Sequence, residues 1–195
     1  MKKTSSTNIH LQRGATLIEA LISILIMSIG LLGIAGIQLS AISYQKSSWS
    51  MHKIAELSID IAERIRANPT GARNSNYIYN ESYATAKSAT PTNNNCKALS
   101  TFCSTAQIAA DDVAAFVTRA QNLLPGGAAV IEGNFNNGYV ATAMYYDKEF
   151  INSSGVLQTS ATCSATSSGI DWRNCCPATA SVPNGVRCRR INIIP

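Results

Sequence analysis

The residues whose types and spacing could do chemistry in this chain are one acid, Glu19, and six cysteines, Cys96, Cys103, Cys163, Cys175, Cys176 and Cys188. Glu19 opens a run, residues 20–37, that contains no charge. An acid at the centre of a bilayer costs roughly 2.5–3.5 kcal/mol. Near a helix end the cost falls because the side chain reaches the headgroups, but a bare anchor gains nothing from such a group. Glu19 therefore asks for a partner. Ahead of it stand Lys2, Lys3, His10, Arg13 and Gly14, then Ala15. Basic residues before an apolar run predict a cytoplasmic N-terminus. The rest of the chain, with every cysteine, then lies on the far side of the membrane, where disulfides persist. Cys96 and Cys103 enclose a short loop and are expected to pair. Cys163, Cys175, Cys176 and Cys188 would form two more bridges, and the sequence leaves their partners open. Adjacent Cys175 and Cys176 do not have zinc-ligand spacing, and no histidine is near them.

Other chemistries find little support. The histidines are His10, ahead of the apolar run, and His52, so a Ser-His-Asp or Cys-His site would have to use His52, which reads as a solvated helix residue. There is no phosphate-binding glycine loop. Asp111 and Asp112 are neighbours in a helical pattern and point about 100° apart, which reads as a solvated face rather than a catalytic pair. No cofactor is implied, and the chain does not read as an enzyme. Arg187, Arg189 and Arg190, with Trp172 and Arg173 nearby in sequence, form a small basic cluster. Edge-strand charges explain it, and nucleic-acid binding is the rival reading.

Composition fits an exported domain with an anchor. The 195 residues carry a net charge of +5, but three of the 16 Lys/Arg precede residue 15, leaving 13 against 11 acids. The basicity thus belongs partly to membrane topology. The 46% hydrophobic content is likewise raised by the apolar run, and the remainder is long enough for a modest core. A secretory signal would need a small-residue cleavage site after an apolar stretch of about 7–15 residues. This run is longer, and no clear stop follows it. A plain single-pass anchor would explain the length, since about 20 apolar residues span a bilayer, but not Gly14 and Glu19 together.

These residues must be positioned by a long helix. Residues 15–67 contain no proline, and one helix over them would extend about 80 Å at roughly 1.5 Å per residue. Up to Leu39 it is apolar all round. Over residues 40–68 it is amphipathic, with Ile54, Leu57, Ile61 and Ile65 at helical spacing. Asn68-Pro69 ends it. Gly30, Gly33 and Gly36 lie inside the apolar half. They suit close helix packing or a segment able to unwind. Residues 70–95 read as a loop. Ser104 and Gln107 form a capping box before a helix over about 105–124, closed by Pro125-Gly126-Gly127. Residues 128–135 and 139–147 read as a hairpin about Asn136-Asn137-Gly138. A further strand is expected near 150–157, loop over 159–184, and a closing strand over 186–194. The fold class is α+β: a long N-terminal helix, membrane half plus amphipathic half, packed on an antiparallel sheet, with a second helix.

The junction Arg13-Gly14-Ala15-Thr16-Leu17-Ile18-Glu19 resembles the prepilin signal of type IV pilins and type II secretion pseudopilins. The resemblance implies a leader over residues 1–14, peptidase cleavage between Gly14 and Ala15, and methylation of the new N-terminal residue, Ala15, where the family usually has Phe. It also implies a transmembrane half over 15–39 and a periplasmic domain over 69–195. The stretches at residues 28–38 and 60–69, and Leu123-Leu124-Pro125-Gly126-Gly127, look like the minor pilins called PilV. Six cysteines favour a minor over a major subunit. The resemblance implies a structural subunit that primes a type IV pilus and sits at or near its tip. Glu19 would meet the methylated amine at residue 15 of a neighbouring subunit. The implied partners are other minor pilins, the major pilin, the prepilin peptidase, the inner-membrane assembly platform and a tip adhesin. The implied locations are the inner membrane and then the pilus on the cell surface, with roles in twitching motility and adhesion. A type II secretion pseudopilin and a DNA-binding minor pilin are the alternatives.

Overall fold

The structure is a computed structural model and describes residues 16–89, 91–98 and 102–195. Helix α1 (Leu17–Ala67) runs for 51 residues. It stops at Asn68, whose φ of −123° and ψ of 68° leave the helical region. The Asn68 side chain accepts from the Gly71 N–H at 3.1 Å and donates to the Thr105 carbonyl at 2.7 Å. Pro69 is the first residue of α2 (Pro69–Arg73), where its missing N–H costs nothing. The Asn-Pro pair therefore starts a second helix as well as ending the first. By compactness the chain divides into Met1–Lys46 and Ser47–Pro195.

In the first unit the described residues belong almost wholly to α1, and their side chains are exposed, from Leu17 at 87% to Ile42 at 60%. The hydroxyls of Ser23 and Ser28 bond back to the carbonyls of Glu19 and Ile24 at 2.8 and 2.7 Å. Polar groups satisfied in this way leave the helix surface apolar.

In the second unit, helices α3 (Tyr83–Ser88), α4 (Thr105–Leu123) and α5 (Gly169–Asn174) accompany a sheet of β1 (Ala128–Asn134), β2 (Gly138–Tyr146) and β3 (Val186–Ile193). The sheet is antiparallel in the order β1-β2-β3. One face carries Ile131, Ala141, Ala143, Tyr145 and Ile193. It closes a core with Ile54, Leu57, Ile61 and Ile65 of α1 and Val113, Phe116, Val117 and Ala120 of α4. The opposite face, with Val130, Met144 and Cys188, packs against Tyr83 and Ala86 of α3 and against Cys176 and Ala180. The fold is thus α+β and pilin-like, with the C-terminal part of α1 covered by α4 and the sheet.

Local chemistry explains the elements. The Ser104–Gln107 capping box is formed in both directions, at 2.9 and 3.3 Å. Gly127 lets the chain pass close to α4, since a Cβ there would lie 1.9 Å from the Ala120 carbonyl oxygen. In the hairpin, Asn134 Oδ1 accepts from the N–H groups of Asn136 and Asn137, and Gly138 takes a φ of +88°.

Three segments differ from the sequence expectation. Residues 70–95 hold α2 and α3 rather than continuous loop. Helix α3 is capped by Ser82, which accepts from Thr85 N–H at 3.2 Å, and it is pinned by Tyr83 Oη donating to the Gly126 carbonyl at 2.7 Å. The strand expected near 150–157 is a turn closed by one bridge, Ile151 to Leu157, because Asn152 Oδ1 takes the N–H groups of Ser154 and Val156. Residues 159–184 hold α5, a short 3-10 helix (Ala178–Ala180) and a parallel bridge between Thr162 and Cys176.

Candidate functional site

Gly14 and Ala15, the expected cleavage and methylation positions, lie outside the described residues, as do Lys2, Lys3, His10 and Arg13. Glu19 sits in the first turn of α1, where the unpaired N–H groups favour an anion. Its Oε2 accepts from the Thr16 backbone N–H at 3.4 Å. The side chains beyond it, among them Leu25, Met27, Leu32 and Ile37, are more than half exposed. The helix is long and apolar enough to cross a membrane by length and composition. It continues through Gly30, Gly33 and Gly36, around which there is open space.

The second unit holds its part of α1 by charge as well as by packing. Arg64 bonds Asp60 on its own helix at 3.0 Å and Asp112 of α4 at 2.8 Å. Arg119 of α4 returns to Asp60 and Glu56, both at 2.9 Å. Tyr77 Oη donates to Asp112 Oδ2 at 2.8 Å. Burial, and the hydrogen bond to that carboxylate, push the Tyr77 phenol far up, so it stays a donor. Burial pulls the Arg64 guanidinium down, but its bonds to Asp112 and Asp60 outweigh this and hold it above its ordinary value.

The reading of Asp111 and Asp112 as a solvated face is corrected here. Asp112 is only 8% exposed and anchors α4 to α1. Asp111 accepts from the backbone N–H groups of Asn94 and Cys96, the latter at 2.7 Å. Partial burial pushes its carboxyl up, but these N–H groups win and hold it below the usual range. The two acids do point apart, and that divergence lets one tie down α1 and the other the cysteine loop.

Cys96 is bonded to Cys103, Cys163 to Cys175, and Cys176 to Cys188. The adjacent pair is thus split, each cysteine closing a separation of 12 residues. Cys163–Cys175 encloses α5, and Cys176–Cys188 fastens the same segment to β3. Among the described residues no three His, Cys, Asp or Glu gather as metal ligands. His52 is exposed on α1.

Alternation along β3 puts Arg187 and Arg189 on one face and Arg190 on the other. Arg187 lies apart from the other two in its contacts, pairing with Asp147 at 3.0 Å and lying 5.0 Å from the Phe150 ring centre. Arg189 reaches Asn174 Oδ1 and, at 3.4 Å, Met51 Sδ. Arg190 lies 4.6 Å from the Trp172 ring centre and donates to Cys163 Sγ at 2.9 Å. With Arg173 these residues line a groove of about 610 Å³ whose other wall is Met51 and Ala55 of α1. The cluster was visible in sequence. Its apolar wall was not, because that wall comes from more than a hundred residues earlier.

Residues 36–114 match the family described as Tt1218-like, type IV pilin Tt1218. Residues 9–35 match the prokaryotic N-terminal methylation motif. No curated protein and no solved structure matches the chain. The chain thus carries the prokaryotic N-terminal methylation motif and is similar, over the amphipathic part of α1 and into α4, to a type IV pilin family, which supports a pilin or pseudopilin role.

Proposed function

We propose that this chain is a minor pilin of a type IV pilus, of the PilV type, which helps prime assembly and stays at or near the filament tip. The observation that carries the reading is the exposed apolar half of α1, with Glu19 in its first turn, most of it inside the methylation motif at residues 9–35. In lipid that surface is solvated by acyl chains. In a filament the same surface packs against other pilin helices. Cleavage after Gly14 by a prepilin peptidase frees the amine of Ala15, which is then methylated in a separate transfer step, and Glu19 meets the amine of a neighbouring subunit. In a core of low dielectric that pairing offsets the cost of burying both charges. Residues 1–14 are then a leader, 15–39 the membrane half, 40–68 the amphipathic half and 69–195 the periplasmic domain. The three disulfides suit a domain that works on the cell surface.

The methylation motif and long helix serve a type II secretion pseudopilin equally well, so the deciding experiment is genetic. Deletion of the gene is expected to remove surface pili and twitching while leaving protein secretion intact. Lost secretion with normal pili would overturn the pilus assignment in favour of the secretion system.

A further inference from the structure

One of the three disulfides has a cation against it. Arg190 Nη1 stands 2.9 Å from Cys163 Sγ and 3.3 Å from Cys175 Sγ, the two sulfurs of one bridge. Among the described residues no arginine hydrogen-bonds a sulfur of Cys96–Cys103 or Cys176–Cys188. Arg190 itself is poorly paired. Its side chain is only 10% exposed, Glu132 reaches it at 3.9 Å, and its Nε is buried without a hydrogen-bond partner. Disulfide sulfurs are weak acceptors and offer the guanidinium little. A thiolate in the same place is an anion, and a charge-assisted bond to it is far stronger. The contact therefore differs between the oxidised and the reduced bridge, and only such a difference moves an equilibrium. A cation beside a cysteine lowers its thiol pKa, and a stabilised reduced form makes a disulfide easier to reduce.

The two sulfurs are not equally open. Cys175 is 2% exposed, whereas Cys163 is half-buried. The guanidinium lies beside the bond, since on its axis the two distances would differ by the whole S–S length of about 2 Å. It therefore does not itself block in-line attack on Cys163. The segment inside the bridge is lightly held. Residues 164–174 include no buried side chain, and α5 has no side-chain cap. We propose that Cys163–Cys175 is a thiol-exchange site for an external dithiol, with Arg190 holding the thiolate, and that its opening frees residues 164–174 while the other two bridges stay closed. A thiolate of the dithiol attacks Cys163 Sγ. The Cys163–Cys175 bond breaks, and Cys175 leaves as a thiolate with both electrons of that bond, against Arg190. The second sulfur of the dithiol then attacks the first, closing the external disulfide and releasing Cys163 as a thiolate. Cys175 takes a proton and donates it to the Trp172 carbonyl, 3.3 Å away. Two electrons pass from the dithiol to the cysteine pair. Of the two dithiol protons, one goes to Cys175 and one to solvent. Residues 164–174 belong to neither hydrophobic cluster of the domain, so both clusters stay in place. The exchange needs neither a membrane nor a filament and stands apart from the assembly reading above.

The full-length protein in non-ionic detergent is equilibrated with graded ratios of reduced to oxidised dithiothreitol and quenched with acid. Free thiols are then alkylated and mapped by mass spectrometry. Cys163 and Cys175 should be half reduced at a ratio about tenfold below that of either other bridge. Arg190→Gln should move that ratio up about tenfold, the effect of one charge-assisted bond. Arg190→Lys, which keeps the charge, should restore most of the difference, as a purely structural role of the guanidinium would not. At a ratio that opens this bridge alone, trypsin should cut after Arg173 about tenfold faster than in the oxidised protein. Simultaneous opening of the three bridges, or earlier opening of another, would overturn the proposal without recourse to any variant, so it remains testable even where Arg190→Gln folds poorly. An unchanged ratio in Arg190→Gln, or equal shifts in the Gln and Lys proteins, would remove the role given to the charge. Unchanged cleavage after Arg173 would show that opening does not free the segment.

Discussion

Leu32 and Leu57 lie on one helix, the first 74% exposed and the second fully buried. The part of α1 around Leu32 consists of apolar side chains that are exposed. The part around Leu57 has its apolar stripe under α4 and the sheet, and its acids and arginines are paired. Both parts carry Ile and Leu, and what differs is whether charged residues stand among them. Where Glu56, Asp60 and Arg64 interrupt the pattern, the helix has one face for a core and one for ion pairs. Where no charge interrupts, no direction is preferred, and the surface is left for lipid or other helices. The α1 residues that enter the core of the domain all come from the charge-interrupted part.

The sharpest way to break this comparison is to truncate one leucine in each part. Leu57→Ala should cost the domain about 2–5 kcal/mol, and Leu32→Ala no more than about 0.5 kcal/mol. Denaturant unfolding of the full chain in detergent, disulfides intact, measures both. Comparable losses would show that the two parts share one cooperative unit.

The charges on the covered part come next. Asp112→Ala removes the acceptor of Arg64 and Tyr77 from a site that is nearly closed. Breaking a buried pair costs about 3–5 kcal/mol. Because Asp60 still holds Arg64, whose side chain is 23% exposed, the lower end, about 3 kcal/mol, is expected. Asp112→Asn, which keeps an acceptor for Tyr77, should lose less. An unfolding midpoint unchanged by Asp112→Ala would make the α1–α4 ion pairs ornamental and leave the stripe alone to hold the helix. The Cys176–Cys188 bridge should weigh about as much. Replacing both cysteines by Ala removes a 12-residue constraint, worth about 3 kcal/mol in the chain-entropy account, and the same unfolding curves measure it.

Asp111 gives a smaller, pH-dependent effect. Its pKa is lower in the folded chain than in the unfolded one. Its contribution is therefore present above the unfolded value, near 3.9, and is lost as pH falls through the folded value. Between neutral pH and strong acid the wild type should lose more stability than Asp111→Asn, whose curve lacks this component. Parallel acid profiles for the two proteins would mean that the cysteine loop does not depend on that carboxylate.

Much of this architecture could be read from local pattern. The α1 stripe, the Asn68-Pro69 stop, the Ser104–Gln107 box and the hairpin each depend on residues a few positions apart. What escaped the sequence depends on distance or brevity. Asp112 looked solvated because its partners are 48 and 35 residues away. Helices α2, α3 and α5 have five or six residues, too few to display a period. Cys175 and Cys176 are chemically equivalent neighbours, and only the path of β3 decides which of them meets Cys188. Arg190 read as an edge charge, since nothing local foretells that α5 and a disulfide will close over it.

The smallest effect on the domain is expected from the residue with the largest consequence outside it. Among the described residues, the Glu19 side chain bonds only the Thr16 backbone N–H, at 3.4 Å and fully in the open. Glu19→Ala should leave the unfolding midpoint and all three disulfides as they are, because no group of the folded domain loses a partner. In cells, sheared surface filaments should contain far less of the variant than of the wild type, while the membrane fraction keeps it. A Gln at this position separates the two ways the side chain could act. If charge pairing with an amine drives entry, Glu19→Gln should fail nearly as badly as Ala. If the side chain serves only to cap the first turn, Gln should restore entry, since its amide oxygen can still accept from Thr16. Normal incorporation of both variants would show that the exposed apolar half assembles by packing alone, and Glu19 would lose the pairing role proposed for it.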